Sequence, residues 1–281
     1  MNYLETLNFG SNKLKLKNIS SHILDSELLL SFTLNLPREK ILTNLNKKIK
    51  KQKFSIYKRL LSRREKNEPI AYIIKKKEFW RNIFYVNKNV LIPRPETELI
   101  VEEVLKVLKI SSSKRLLEVG TGSGCIIVSI LQERLNCCAT AIDISKKALN
   151  IAKFNAKMHH LTDKIKFIHN DIDKFQDNKY DFIISNPPYI EKFNLSRLEQ
   201  NIKLFEPNQA LEAGVDGFRE IKKLIKKSKK LLKINGKLIF EIGKSQHTNT
   251  KKMLLDNGYY INKVIKDFSS IPRVIVSTNI M

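Results

Sequence analysis

Glu118-Val-Gly120-Thr-Gly122-Ser-Gly124 stands between the apolar run Arg115 to Val119 and a helically spaced apolar stretch that opens at Cys125. A strand that passes through three alternating glycines into a helix is the start of a parallel α/β unit. Glycine takes the positive backbone angles such a turn needs and lets main chain approach a ligand closely. The spacing E-x-G-x-G-x-G is not the G-x-G-x-x-G of a dinucleotide site and has no G-K-[ST] ending, so a pyrophosphate cradle is not expected. An acid ahead of the glycines suits a ligand with an ammonium group, and Asp143, ending the next apolar run, can bind the two hydroxyls of a ribose. S-adenosyl-L-methionine has both features. Glu118, Gly120, Thr121, Gly122, Ser123, Gly124 and Asp143 are therefore candidate cofactor-binding residues. Asp171, after the third strand, is a candidate acceptor for an adenine edge with Ile172 beside the ring, although a surface turn or helix cap accounts for an acid there equally well.

Working outward from the loop, strands and helices alternate, as in a sheet of parallel strands joined by crossover helices. The patterns predict strands at 115–119, 139–142, 165–169, 181–185 and 237–241, helices at 125–135, 145–159 and 218–232, and two final strands at 259–266 and 273–278. The helix 218–232 carries Ile221, Leu224, Ile225, Leu231 and Leu232 on one face and six lysines elsewhere, an amphipathic pattern rather than a basic binding element.

Asn186-Pro187-Pro188-Tyr189 follows the apolar strand Phe182-Ile183-Ile184, at the carboxyl end where open α/β sheets bind ligands. The two prolines stiffen the chain, so that the Asn186 side-chain oxygen and a main-chain carbonyl can point at one spot. Two fixed acceptors match an NH2 group. An amide or aromatic amine is a poor nucleophile because its lone pair is delocalised, and holding both hydrogens positions the nitrogen and stabilises the charge that grows as it attacks a methyl group. Asn186, Pro187 and Tyr189 are the candidate catalytic residues. Asn186, Pro187, Pro188 and Tyr189 are the candidate substrate-binding residues, with Tyr189 placed to stack on the planar group and Asn186 also beside the cofactor.

Ahead of this region, apolar residues recur at helical spacing from Ser21 to about Ile74, which predicts a small helical domain. Between Lys77 and Arg94 the aromatic and β-branched residues suggest two short strands in a hairpin linker. Pro93 and Pro95 then deny the donors of a continuing ladder and leave an extended segment before a helix from Thr97 to Leu108. The expected domains are 1–76, 77–93 and 94–281.

At 281 residues, 42% hydrophobic and 28% charged, the chain can bury a sizeable core. No apolar run reaches bilayer length and Met1 to Ser20 lacks the pattern of a leader, so neither membrane insertion nor secretion is expected. Cys125, Cys137 and Cys138 form no C-x-x-C pair, which argues against a disulfide framework or a zinc site and for a reducing, cytoplasmic setting; no metal is expected. The formal charge of +24 suggests a polyanionic partner. Yet only eleven of the 52 basic residues are Arg, and a Lys surplus spread along an Ile- and Asn-rich chain fits codon drift on solvated faces better than base reading. A weak RNA or ribosome contact is the alternative.

The glycine loop and the tetrad together resemble the seven-stranded, S-adenosylmethionine-dependent methyltransferases that modify planar nitrogens, a set that includes DNA adenine methyltransferases and the HemK/PrmC family. The stretch Leu91-Ile-Pro-Arg-Pro-Glu-Thr-Glu98, the pairs Glu68-Pro-Ile-Ala71 with Glu78-Phe-Trp80 and Phe205-Glu-Pro207 with Ala210-Leu211, and Glu241-Ile-Gly243 with Gln246 resemble HemK/PrmC signatures from about Ser21 onward. Ser269 and Ser270 depart from the pattern, where that family commonly has a glycine. The resemblance implies a Rossmann-like class I methyltransferase sheet behind a helical substrate-recognition domain. It also implies methylation of the side-chain amide of the glutamine in the Gly-Gly-Gln motif of class-one peptide chain release factors, with Asn186 and Tyr189 framing that amide. A DNA or RNA adenine N6-methyltransferase would need a target-recognition region and a way to extrude the base, and only about 90 residues follow Tyr189. A non-catalytic RNA- or ribosome-binding protein would explain the charge but not an intact loop and tetrad.

Overall fold

The computed structural model describes residues 1–280 and resolves two compact units, 1–76 with 199–205, and 77–198 with 206–280. The first is helical: α1 (Tyr3–Lys15), α2 (His22–Leu34), α3 (Arg38–Leu42), α4 (Lys51–Glu65) and α5 (Ile70–Ile74). Its core is built from Leu7, Leu14, Leu29, Leu30, Tyr57 and Leu61. The helical region thus begins well before Ser21. α1 is opened by a capping box in which Asn2 and Glu5 satisfy each other's backbone donors. Gly10 inside it marks a close helix approach, since a Cβ there would lie 1.8 Å from the Tyr57 hydroxyl.

The second unit begins with a hairpin of β1 (Lys77–Phe79) and β2 (Asn82–Phe84), turned at Trp80 with φ of 56°. Val86, Val90 and Ile92 are buried on a segment outside the named strands that turns at 87–90. A 3-10 turn at Pro95–Thr97 leads into α6 (Glu98–Val107). There follow β3 (Arg115–Val119), α7 (Cys125–Glu133), β4 (Cys138–Asp143), α8 (Lys146–Met158), β5 (Ile165–His169), β6 (Tyr180–Ser185), α9 (Gln200–Phe205, in the first unit), α10 (Arg219–Leu231), β7 (Leu232–Glu241), α11 (His247–Asp256), β8 (Tyr259–Lys266) and β9 (Pro272–Asn279).

The seven strands stand in the order β5-β4-β3-β6-β7-β9-β8, parallel from β5 to β7 and antiparallel around β9. Side chains alternate across the sheet. Phe182 and Ile184 join a core with Ile100, Val104, Ile126 and Ile130 of α6 and α7, while Ile183 joins the opposite core with Leu224, Ile225 and Leu254 of α10 and α11. The strands are therefore covered on both faces, as parallel sheets require. The strand order reverses between β3 and β6, so a crevice opens at their carboxyl ends. No helix among the described residues is long and apolar enough to cross a membrane.

Candidate active site

The register pairs Glu118 with Ile184 and Val119 with Ser185, which sets the glycine loop and the tetrad side by side at the reversal. The Ser185 hydroxyl donates to the Val119 carbonyl at 2.8 Å and ties the two strand ends together. Beyond them lies a cavity of about 480 Å³, lined by Gly120, Thr121, Gly122, Ser123, Asp143, Asp171, Ile172, Asn186, Pro187 and Pro188 among the candidate residues. Glu118, Gly124 and Tyr189 are the three candidates that do not line it.

All three glycines have positive φ, 71° at Gly120, 55° at Gly122 and 79° at Gly124. Their reasons differ. A Cβ on Gly124 would press on Ala152 of α8 at 3.2 Å, whereas one on Gly120 would meet nothing within 4 Å and one on Gly122 only the Gly120 carbonyl at 4.0 Å. Gly124 thus serves helix packing, and the other two keep main chain open to the cavity. Asn155, buried on α8, pins the loop: its amide nitrogen donates to the carbonyls of Ser123 (2.8 Å) and Tyr85 (3.0 Å), and its oxygen accepts from the Tyr85 N–H (2.8 Å).

The acids at the strand ends are distinct in their bonding. Glu118 is buried; one oxygen accepts from the Thr121 hydroxyl and the other, Oε1, has no hydrogen-bond partner. Burial pushes its carboxyl up to about 8. The observation that fits S-adenosyl-L-methionine is the open cradle of the loop: a Cβ on Gly120 would meet nothing within 4 Å, so main chain borders the cavity beside Asp143, with Glu118 behind that wall. Asp143 accepts the N–H of Gly122 (2.9 Å) on one oxygen and that of Ser145 (2.8 Å) on the other. Its remaining lone pairs are free for vicinal hydroxyls, and burial raises it above the usual carboxylate range. Asp171 accepts from the Asp173 N–H at 3.0 Å and lies 3.7 Å from the Lys223 ammonium, so it makes a turn and also faces the cavity.

In the tetrad, the Asn186 amide nitrogen donates to the Thr97 hydroxyl oxygen at 3.0 Å, and that hydroxyl donates to Glu241 Oε2 at 2.6 Å. A hydroxyl that spends its one hydrogen on a carboxylate can only accept from Asn186. The amide is therefore fixed with its nitrogen on Thr97, which leaves its oxygen for another donor beside the cavity that Asn186 lines. Tyr189 stands behind the cavity wall instead of within it: its phenol is hydrogen-bonded to Glu241, and burial holds it well above the usual tyrosine range. A buried hydroxyl seeks an acceptor, and the strand-end carboxylate supplies one.

Thr97, Glu241 and Asn155 have no role that the sequence alone assigns. A usable signal exists for Glu241, which ends an apolar strand beside β6 as Glu118 and Asp143 end theirs or nearly so. For Asn155 the signal is an amide on the apolar face of α8. Arg94 also reaches the cavity edge, where it donates to the buried Glu206 at 2.6 Å and holds the 206–212 segment against the Pro-rich stretch.

Residues 110–271 match the methyltransferase domain family, and residues 5–74 match the PrmC N-terminal domain. The sequence is 34% identical over 267 residues to the release factor glutamine methyltransferase of Clostridium acetobutylicum, with 94% of each chain covered. It is 37% identical over 300 residues to the bifunctional methyltransferase of Rickettsia felis, covering 97% of this chain and 57% of that protein. The chain thus spans little more than half the length of this second relative. A methyltransferase crystal structure from Pyrococcus furiosus superposes with a TM-score of 0.52 at 17% identity, over 70% of this chain and 89% of its own, which is a likeness of fold alone. The two domain matches extend the likeness to within a few residues of the start, ahead of Ser21, and with the Clostridium relative matched nearly end to end the chain belongs to the release factor glutamine methyltransferase family.

Proposed function

We propose that the protein transfers a methyl group from S-adenosyl-L-methionine to the side-chain amide nitrogen of the glutamine in the Gly-Gly-Gln motif of class-one peptide chain release factors. The observation that carries this reading is the Asn186 amide beside the cavity, whose nitrogen is held by Thr97 and Glu241 and whose oxygen is thereby left to accept from a substrate. In this reading Glu118 and the loop 120–124 receive the amino-acid end of the cofactor, Asp143 its ribose, and Asp171 with Ile172 its adenine. Asn186, with a main-chain carbonyl of the proline pair, accepts the two amide hydrogens. When bound, the cofactor would supply a methyl group on a sulfonium for the amide nitrogen, the C–S electron pair staying with sulfur and the displaced amide proton passing to solvent. Asn186 is an acceptor and not a base, so the reaction gains from charge stabilisation and orientation. Tyr189 holds Glu241 from behind.

The segment from Ile190 to Phe218 is made of short helical turns and loops that lead to α10, which leaves the adenine N6 alternative without a recognition region there. The basic surface is assigned to solvated lysines, among them Lys222, Lys226 and Lys230 on the exposed face of α10, rather than to an RNA or ribosome site. All three cysteines are free, two of them buried, which supports a reducing, cytoplasmic setting. Mass spectrometry of a purified release factor after incubation with the protein and S-adenosyl-L-methionine tests the function. A gain of one methyl group on the Gly-Gly-Gln glutamine is expected, and an unmodified glutamine with methylated adenine in a parallel DNA or RNA reaction overturns it.

A further inference from the structure

We propose that Thr97 and Glu241 are positioning residues that set which end of the Asn186 amide faces the methyl acceptor. The inference rests on the function proposed above. The three groups come from separate parts of the second unit: Thr97 from the turn before α6, Glu241 from the end of β7, and Asn186 from the end of β6. They form one directed chain, Asn186 amide nitrogen to Thr97 oxygen at 3.0 Å, then Thr97 hydroxyl to Glu241 Oε2 at 2.6 Å. Thr97 is 2% exposed and Glu241 1% exposed, so bulk water has little access to these bonds.

The direction of the chain decides the chemistry. While Glu241 is an ionised acceptor, the Thr97 hydrogen is committed to it and Asn186 must offer nitrogen to Thr97 and oxygen to the cavity. An oxygen there attracts the hydrogens of an attacking NH2 group. If Glu241 takes a proton on Oε2, the oxygen that faces Thr97, it becomes the donor there, the Thr97 hydrogen is released, the amide can turn end for end, and its own NH2 then faces the substrate NH2, donor against donor. Around Glu241 stand Glu96 in the same turn as Thr97, Tyr189 after β6, and Arg273 on β9, with Arg94 acting on Tyr189. Arg273 favours the ionised form and Glu96 opposes it; burial dominates both and moves the carboxyl up to about 7. The protonation that would reverse the chain therefore falls near neutral pH.

The test is single-turnover methylation of an intact release factor at saturating cofactor, from pH 6 to pH 9, with cofactor affinity measured separately. Thr97→Val keeps the shape but removes the hydroxyl, and its turnover should fall by up to about 100-fold while cofactor affinity stays within about twofold. Thr97→Ser, which restores the hydroxyl, should recover most of the rate. The wild type should lose rate below about pH 7, and Glu241→Gln, which has no proton to take up, should be flat across the range. A Thr97→Val rate within twofold of wild type overturns the proposal, as does a serine variant no better than valine or a Glu241→Gln profile that keeps the wild-type limb. A wild-type protein that leaves the release factor unmodified overturns the proposed function together with this inference, whereas the variant results bear on positioning alone.

Discussion

Gly122 and Gly124 share a left-handed backbone, yet alanine at the two positions should produce opposite patterns. Each substitution strains the backbone by about 1–2 kcal/mol, because an L side chain at positive φ crowds its own carbonyl. At Gly122 that is nearly the whole stability effect, since the added methyl meets no protein atom closer than 4.0 Å. For a unit of this size the melting temperature should drop by about 2–8 °C. The methyl instead enters the cavity that Gly122 lines. A group filling space meant for ligand should weaken S-adenosyl-L-methionine by about 100-fold, equivalent to about 2.7 kcal/mol. At Gly124 the methyl presses on Cβ of Ala152 at 3.2 Å and on its Cα at 3.3 Å, so α8 must shift. Overpacking of that kind adds about 1–3 kcal/mol to the strain, while the cavity wall keeps its outline. Gly124→Ala should therefore be the less stable variant and Gly122→Ala the weaker binder. Thermal melting without ligand, paired with calorimetric titration of the cofactor, reads both quantities. Gly122→Ala binding with wild-type affinity, or Gly124→Ala binding more weakly than Gly122→Ala, would refute the assignment of the loop to the cofactor.

Asn186→Ala should lower single-turnover methylation by on the order of 100-fold to 1,000-fold with cofactor affinity nearly unchanged, since the lost contact strengthens only as charge develops on nitrogen; a wild-type rate would reduce the tetrad to a turn. Burial pushes Glu118 up to about 8, so above the ordinary carboxyl range the folded chain keeps a proton that the unfolded chain has released. Stability without ligand must then fall as pH rises toward 8, and Glu118→Gln should melt higher than wild type at pH 8, the two curves converging toward pH 4. Melting curves across that window check the sign. Catalytic efficiency on an intact release factor should fall less than about tenfold between 50 and 200 mM salt, because the lysines are solvated; a loss of about 1,000-fold would signal phosphate contacts.

The sheet was legible where β-branched residues alternate between turn residues: β3, β5 and β8 lie where the pattern predicts them, and β4, β6, β7 and β9 differ at the ends. β7 extends back to Leu232 because α10 passes straight into it, with Asn235 at φ of 64° and an irregular register near Tyr180 hiding the strand's first half. α11 was illegible for a physical reason. Its sequence HTNTKKMLLD buries only Thr250 and Leu254, too narrow a stripe to show a helical period. α1 is obscured by Gly10, a helix-weakening residue whose place makes sense only once Tyr57 is seen against it. The turn at Ser269 and Ser270, where the resemblance leads one to expect glycine, keeps the geometry with Ser270 at φ of 60°, held by three backbone donations to the Asp267 side chain and carbonyl. In the site, the glycine loop and tetrad announce themselves because each is a local motif. Thr97 and Glu241 do not, because their meaning is a contact across 144 residues.

β9 follows β8 in the chain but lies between it and β7. The consequence concerns the order of assembly. β8 has no neighbour in the sheet other than β9, so a nascent chain that has made only β8 cannot add it to the growing sheet and must wait for the strand that inserts between them. That same insertion pairs Val274 with Glu241 and lets the Ile242 N–H bond the Arg273 carbonyl at 2.8 Å, closing the wall behind the buried carboxylate. Closing the sheet and covering Glu241 thus depend on the same strand. Without β9 in place Glu241 would stand open to water and ionise in the ordinary carboxyl range, so the strand added last in sequence also sets the surroundings of the carboxylate that Thr97 bonds.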